Sequence, residues 1–223
     1  MNRIIYILLK NNFKLIPIYL KYKRAIKEKN INYLLEIINI ALNTSNLELN
    51  FIGREKIENL EKFVVFSNHQ SIYDPLFIMQ GCNRNISFIV KDELSKIKIL
   101  NNIFILNGSQ PIDRQNPKSA MKGIINLNEK IKNENCIIGV FPEGTRNKTN
   151  ILNEFKPGSF KLGTKIGVPI VPIVIKNALD IEKNSKKRTI IIEFLDPIFE
   201  ENYKDLKTNE LAKNIQNLIQ QKL

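Results

Sequence analysis

The chain has 223 residues, 43% of them hydrophobic and 25% charged, with a formal net charge of +12. That is enough to bury a sizeable core in one or two domains of a globular protein. Cys82 and Cys136 are the two cysteines and His69 the one histidine, too few for a disulfide framework or a zinc site; two free thiols, a reducing compartment and no metal are expected.

The positive charge is concentrated at the start. Residues 1 to 29 carry Arg3, Lys10, Lys14, Lys21, Lys23, Arg24, Lys27 and Lys29 against the single acid Glu28. Between them lie Ile4, Leu8, Phe13, Leu15, Ile18 and Leu20 with Tyr6, Tyr19 and Tyr22. Such an apolar, aromatic-bearing basic segment suits the interface of an anionic bilayer better than nucleic acid, and no nucleic-acid partner is expected. The run Ile4 to Leu9 stops at Lys10, far short of the roughly 20 apolar residues of a span, and no cleavage site follows it. The segment reads as two helices forming a monotopic anchor over residues 1–45; its other reading is a helix that caps the core and keeps its charges in water. The second helix is the stretch INYLLEIINIAL, 31–42.

From residue 46 to 223 the pattern changes. Short β-branched runs at 47–52, 63–67, 86–90, 103–106, 136–141, 169–175 and 189–195 alternate with helical patterns at 75–81, 92–99, 116–133, 158–166 and 204–222. Alternation of this kind predicts an α/β domain with a largely parallel central sheet flanked by helices. In such sheets ligands bind beyond the carboxyl ends of strands, which singles out the polar clusters that follow apolar runs.

The first cluster, NHQSIYD, spans residues 68–74. Pro75 suits the first position of a helix, which makes Asp74 its expected N-cap. On a regular helix His69 and Asp74, five residues apart, point away from one another. If 69–73 forms a turn they can meet, and Asp74 then fixes the imidazole tautomer and leaves the other ring nitrogen as a base. The second cluster, NGSQPIDR (107–114), ends in Asp113 and Arg114; the arginine is either a surface ion-pair residue or an anion clamp. In the third, FPEGTRNK (141–148), Pro142 and Gly144 set a tight turn that projects Glu143, Thr145 and Arg146. It is either an ordinary polar loop or a phosphate site offering the planar fork of Arg146. A fourth stretch, FKPGSFKLGTKIGVPIVPIVI (155–175), has glycines at phosphate-loop spacing, but Thr164 and Lys165 stand in the wrong order for a nucleotide P-loop. No G-x-S-x-G elbow and no G-x-G-x-x-G turn is present.

In this order and spacing NHQSIYD, GSQPIDR, FPEGTR and VPIVPIVI resemble the motifs of the glycerolipid acyltransferases, specifically the 1-acyl-sn-glycerol-3-phosphate acyltransferases of bacteria, over about residues 50–197. The resemblance implies transfer of an acyl group from acyl carrier protein or coenzyme A to the sn-2 hydroxyl of lysophosphatidic acid. The product is phosphatidic acid for phospholipid biosynthesis, and no bound cofactor is implied. It implies His69 as general base, Asp74 as its support and Lys91, in FIVKDEL, as the oxyanion donor. Arg114, Glu143, Gly144, Thr145 and Arg146 are implied as acceptor-binding, with Glu143 orienting Arg114 or a glycerol hydroxyl. The proline-bearing fourth motif is implied to shape the acyl region. The implied place is the cytoplasmic face of the cell membrane, held peripherally or monotopically without a span. Two alternatives stand beside this: acylation of another lysophospholipid or a lyso-aminolipid, and a non-catalytic membrane-binding protein on the same fold.

Overall fold

The computed structural model describes residues 15–43, 47–179, 181 and 188–223. The expected arm residues 1–14, with Arg3, Lys10 and Lys14, lie outside the described residues. The sheet has seven strands: β1 (Leu47–Ile52), β2 (Phe63–Ser67), β3 (Ile86–Lys91), β4 (Gln110–Ile112), β5 (Ile137–Val140), β6 (Ile170–Lys176) and β7 (Arg188–Phe194). Their order is β1-β7-β6-β2-β5-β3-β4. Every neighbouring pair is parallel except β6 and β7, in agreement with a largely parallel α/β sheet.

The strand β2 shows why the sheet sits where it does. All five of its residues are buried, and their side chains alternate between two cores. Phe63 and Val65 join a core that includes Phe77, Ile78, Ile173 and Ile192. Val64 and Phe66 join one with Ile138, Phe160, Ile215 and Ile219 on the opposite face. A strand covered on both sides reads as a continuous apolar run, as FVVFS does. Each of these large side chains contributes about 1.5–3 kcal/mol by leaving water.

Helices α1 (Leu15–Glu28) and α2 (Ile31–Asn43) precede the sheet, with Lys29 at positive φ in the turn between them. Helix α2 is part of the first core: Leu34, Ile38 and Leu42 are buried in it beside Phe63 and Phe77. Helix α1 buries Ala25 but leaves Leu20 60% exposed, and it is tied to its surroundings by ion pairing of Lys21 with Glu36 and by Asn102 Nδ2 donating to Tyr22 Oη (3.1 Å). Among the described residues no helix is long and apolar enough to cross a membrane.

The remaining helices are α3 (Asp74–Cys82), α4 (Asp92–Ser95), α5 (Lys98–Asn107), α6 (Pro117–Asn133), α7 (Lys161–Thr164) and α8 (Thr208–Lys222). The stretch IFIL at 103–106, expected as a strand, lies in α5. Four apolar residues do not separate the two periods. What decides is that Ile103 and Leu106, one helical turn apart, pack on the core while Ile105 is exposed, and that Gly108 closes the helix in the left-handed region at φ 73°. The true strand is the next one, β4, an edge strand three residues long that carries Pro111. Proline is tolerated there because an edge has an unpaired side. The expected helix at 158–166 is a 3-10 turn, Pro157–Phe160, running into the single turn of α7, which is kinked at Leu162 and at Gly163 (φ 80°).

Candidate active site

Strands β2, β5, β3 and β4 end side by side, since their pairing is parallel throughout. Three of the polar clusters leave the sheet at this rim. NHQSIYD follows β2 and FPEGTRNK follows β5. Asp113 and Arg114 leave β4, not the 103–106 run, so the second cluster reaches the rim by a different element from the one expected.

The turn at 69–73 forms, and it brings His69 and Asp74 together. His69 Nδ1 lies 2.8 Å from Asp74 Oδ2. The same oxygen accepts from the backbone N–H of Gln70 (2.7 Å) and of Ser71 (2.8 Å). Asp74 is fully buried. It is not the N-cap expected from the Asp-Pro pair. Tyr73 occupies the cap position without a side-chain cap bond, and Asp74 is the first helical residue, with Pro75 behind it. Its carboxylate turns back to hold the loop instead of forward to hold the helix. With Nδ1–H donated to a carboxylate, Nε2 carries the free lone pair of a base. The imidazole stacks on Phe141 at a centroid distance of 4.2 Å, which fixes its plane, and its side chain remains 15% exposed.

Glu143 does not touch Arg114. It is buried, and both its oxygens are occupied by the protein. Oε1 accepts the backbone N–H of His69 (2.9 Å); Oε2 accepts Asn147 Nδ2 (3.0 Å) and the backbone N–H of Asn153 (3.0 Å). The backbone N–H of Asn147 in turn donates to the His69 carbonyl (2.6 Å). The first and third clusters are therefore one structure, clamped through a buried carboxylate. Glu143 is therefore turned to the His69 loop, where Arg114 was expected as its partner. A buried acid with three donors is already satisfied.

Arg114 donates from Nη1 to the Gly144 carbonyl. The arginine is placed by a tight turn in which Asp113 Oδ1 accepts from Gln115 N–H (2.8 Å) and Asn116 caps α6 through the N–H groups of Lys118 and Ser119. Gly144 sits at φ 72°, a conformation that costs other residues about 1–2 kcal/mol. Thr145 and Arg146 follow it at the exposed surface of the same loop. Lys91 ends β3 two strands from β2, about 10 Å across the sheet, and its Nζ is paired with Glu93 Oε1 at 2.7 Å while half exposed. The Lys91 ammonium holds the Glu93 carboxyl down to about 2. In this arrangement Lys91 is directed to its own helix start and not to His69.

A cavity of about 290 Å³ opens beside Phe141. Its walls are largely apolar, among them Ile89, Ile112, Met121 and Ile124, and its lining includes Arg114, Gly144 and Lys156. Phe141 is shared between the cavity wall and the His69 stack, so the base and the apolar cleft are neighbours. Asn68 was not assigned a role from sequence. It is fully buried and exchanges two hydrogen bonds with Ile175 of β6, Nδ2 to the carbonyl (2.8 Å) and Oδ1 from the N–H (2.8 Å), pinning the first cluster to the strand of the fourth. The signal was present in the sequence: an amide continuing a wholly apolar strand has to find partners. Cys82 offers no nucleophile, because burial pushes its thiol up to about 12.

The family model described as Acyltransferase matches residues 48–176. The chain is 33% identical over 147 residues to human 1-acyl-sn-glycerol-3-phosphate acyltransferase beta, covering 64% of this chain and 53% of that one. It is 30% identical over 159 residues to the 1-acyl-sn-glycerol-3-phosphate acyltransferase of Cocos nucifera, covering 70% and 52%, so it spans about half the length of these two relatives. With the enzyme of the same name from Haemophilus influenzae it shares 27% over 169 residues, 74% of this chain and 70% of that one. The crystal structure of the 1-acyl-sn-glycerophosphate (LPA) acyltransferase PlsC from Thermotoga maritima has the same fold, with a TM-score of 0.72 at 24% identity over 98% of this chain and 88% of that one. With more than half its length matched, including the first, second and third polar clusters, the chain belongs to the acyltransferase family.

Proposed function

We propose that the protein transfers an acyl group from a thioester, acyl carrier protein or coenzyme A, to the sn-2 hydroxyl of 1-acyl-sn-glycerol-3-phosphate, giving phosphatidic acid. The observation that carries the reading is the His69–Asp74 pair at 2.8 Å, set beside an apolar cleft whose lining includes Arg114 and Lys156. His69 Nε2 takes the hydroxyl proton as the oxygen attacks the thioester carbonyl. Asp74 balances the imidazolium that forms. The tetrahedral intermediate collapses by breaking the C–S bond, and the imidazolium returns the proton to the departing thiolate. No acyl-enzyme is required. Such a positioned base is worth about 10²–10⁴ in rate. Lys91 serves the oxyanion only on leaving Glu93.

Arg114, Arg146 and the Gly144–Thr145 backbone are the acceptor-binding set, with the acceptor chain in the cleft. Membrane attachment is placed on the cytoplasmic face, as the resemblance implies; contact with a membrane is supported by the basic and apolar composition of residues 1–29 and by the exposed Leu20. Purified protein in mixed micelles, supplied with acyl-coenzyme A or acyl carrier protein, is expected to acylate 1-acylglycerol-3-phosphate at least about tenfold faster than 1-acylglycerophosphocholine, the difference expected when a clamped phosphomonoester loses its fit. Equal rates on the two acceptors would refute the phosphate reading.

A further inference from the structure

We infer that Lys156 is a second cation of the acceptor-phosphate clamp, acting with Arg114 beside Gly144. The inference rests on the phosphorylated-acceptor reading above and adds to it a residue that lies outside the first three clusters. Three observations converge. Lys156, Arg114 and Gly144 all line the 290 Å³ cleft. Arg114 grips the carbonyl of Gly144, and the Lys156 side chain lies against the same residue: a Cβ at Gly144 would sit 2.7 Å from Lys156 Nζ and 2.9 Å from Cε. The third is the charge balance. Among the described residues the Lys156 ammonium makes no ion pair and no side-chain hydrogen bond.

The backbone of Lys156 is fixed while its ammonium is not engaged. Its N–H donates to the Pro142 carbonyl (3.0 Å), and its own carbonyl accepts from Ser159 N–H (3.0 Å) and Ser159 Oγ (2.7 Å). Two cations held on one glycine repel each other, and an anion between them removes that repulsion. A phosphomonoester presents several acceptor oxygens, enough for the arginine fork and an ammonium together. The donor coenzyme A also carries phosphate. The cleft favours the acceptor, because the apolar wall continuing from the two cations suits an acyl chain joined to the phosphate through glycerol. Gly144 lacks a side chain on account of its φ, and a Cβ there would displace only the flexible end of Lys156.

The test uses Lys156→Met, which keeps the aliphatic stem over Gly144, and Lys156→Arg, which restores the charge. Calorimetric titration with a short-chain 1-acylglycerol 3-phosphate is expected to show a loss of affinity of roughly tenfold or more in Lys156→Met and most of it regained in Lys156→Arg. Affinity for coenzyme A is expected to be unchanged in both. In steady state, Lys156→Met raises the KM for 1-acylglycerol-3-phosphate and leaves kcat within about threefold, the mark of lost ground-state binding. Wild-type affinity in Lys156→Met, no binding of the phosphate ester by the wild type, or a loss confined to coenzyme A would each overturn the inference. If the wild type acylates 1-acylglycerol-3-phosphate with a KM indifferent to Lys156, the clamp fails and the proposed reaction stands. If phosphate-ester binding depends on Lys156 but no acylation occurs, the reverse holds.

Discussion

Asp74→Asn is expected to lower kcat for acyl transfer by about 10²–10⁴ with little change in the KM for either substrate. The amide is nearly isosteric, and its oxygen can take the place of Asp74 Oδ2. It can still accept from Gln70 N–H and Ser71 N–H, so the turn at 69–73 survives. What disappears is the negative charge 2.8 Å from His69 Nδ1. As the base takes up a proton the imidazolium forms in a largely buried site, stacked on Phe141, with nothing opposite to balance it. A cost that appears only as charge develops falls on kcat. Steady-state kinetics of the purified variant decide the matter: a loss smaller than about tenfold would mean that Asp74 only shapes the loop.

Glu143→Ala acts on stability first. The substitution leaves the N–H of His69, Asn147 Nδ2 and the N–H of Asn153 without their shared acceptor, Asn147 in a buried place and the other two in part-buried ones. Unsatisfied donors and the lost clamp between the two loops are expected to cost about 2–4 kcal/mol. Urea unfolding is expected to show a lower midpoint with an unchanged slope. Activity of the folded fraction should fall as well, because the His69 backbone is no longer held. Glu143→Gln should be intermediate, since the amide oxygen can serve some donors while its NH₂ group faces others. A Glu143→Ala midpoint equal to that of the wild type would show that water or the loop itself replaces the carboxylate without cost.

Much of this architecture was legible from residue order. The alternation of β-branched runs with helical patterns gave the parallel sheet, because a strand covered on both faces is apolar along its whole length, as Phe63 to Phe66 are. The meeting of His69 with Asp74 was conditional on a turn, and the turn formed. The misreadings came where local chemistry had two outlets. Asp74 before Pro75 looks like a cap, yet the donors it takes lie upstream, at 70 and 71. Ile103 to Leu106 could be strand or helix until its packing was known, and Pro111 obscured the edge strand that followed. Glu143 was given an acceptor-binding role because the resemblance places the whole FPEGTR turn at the acceptor. Its real partners, His69 and Asn153, are 74 and 10 residues away, a distance that no local pattern reports. Lys156 escaped for the same reason: nothing near it in sequence shows that it lies against Gly144.

The central claim is that His69 is the base of an acyl transfer to a lysophospholipid hydroxyl. It is tested most directly by following labelled acyl thioester into phosphatidate in mixed micelles containing 1-acylglycerol-3-phosphate, for the wild type and for His69→Ala at matched melting temperatures. The account predicts phosphatidate from the wild type and a rate at least about 10²-fold lower from the variant. Phosphatidate formed at wild-type rate by His69→Ala would contradict it and reduce NHQSIYD to a strand-to-helix turn.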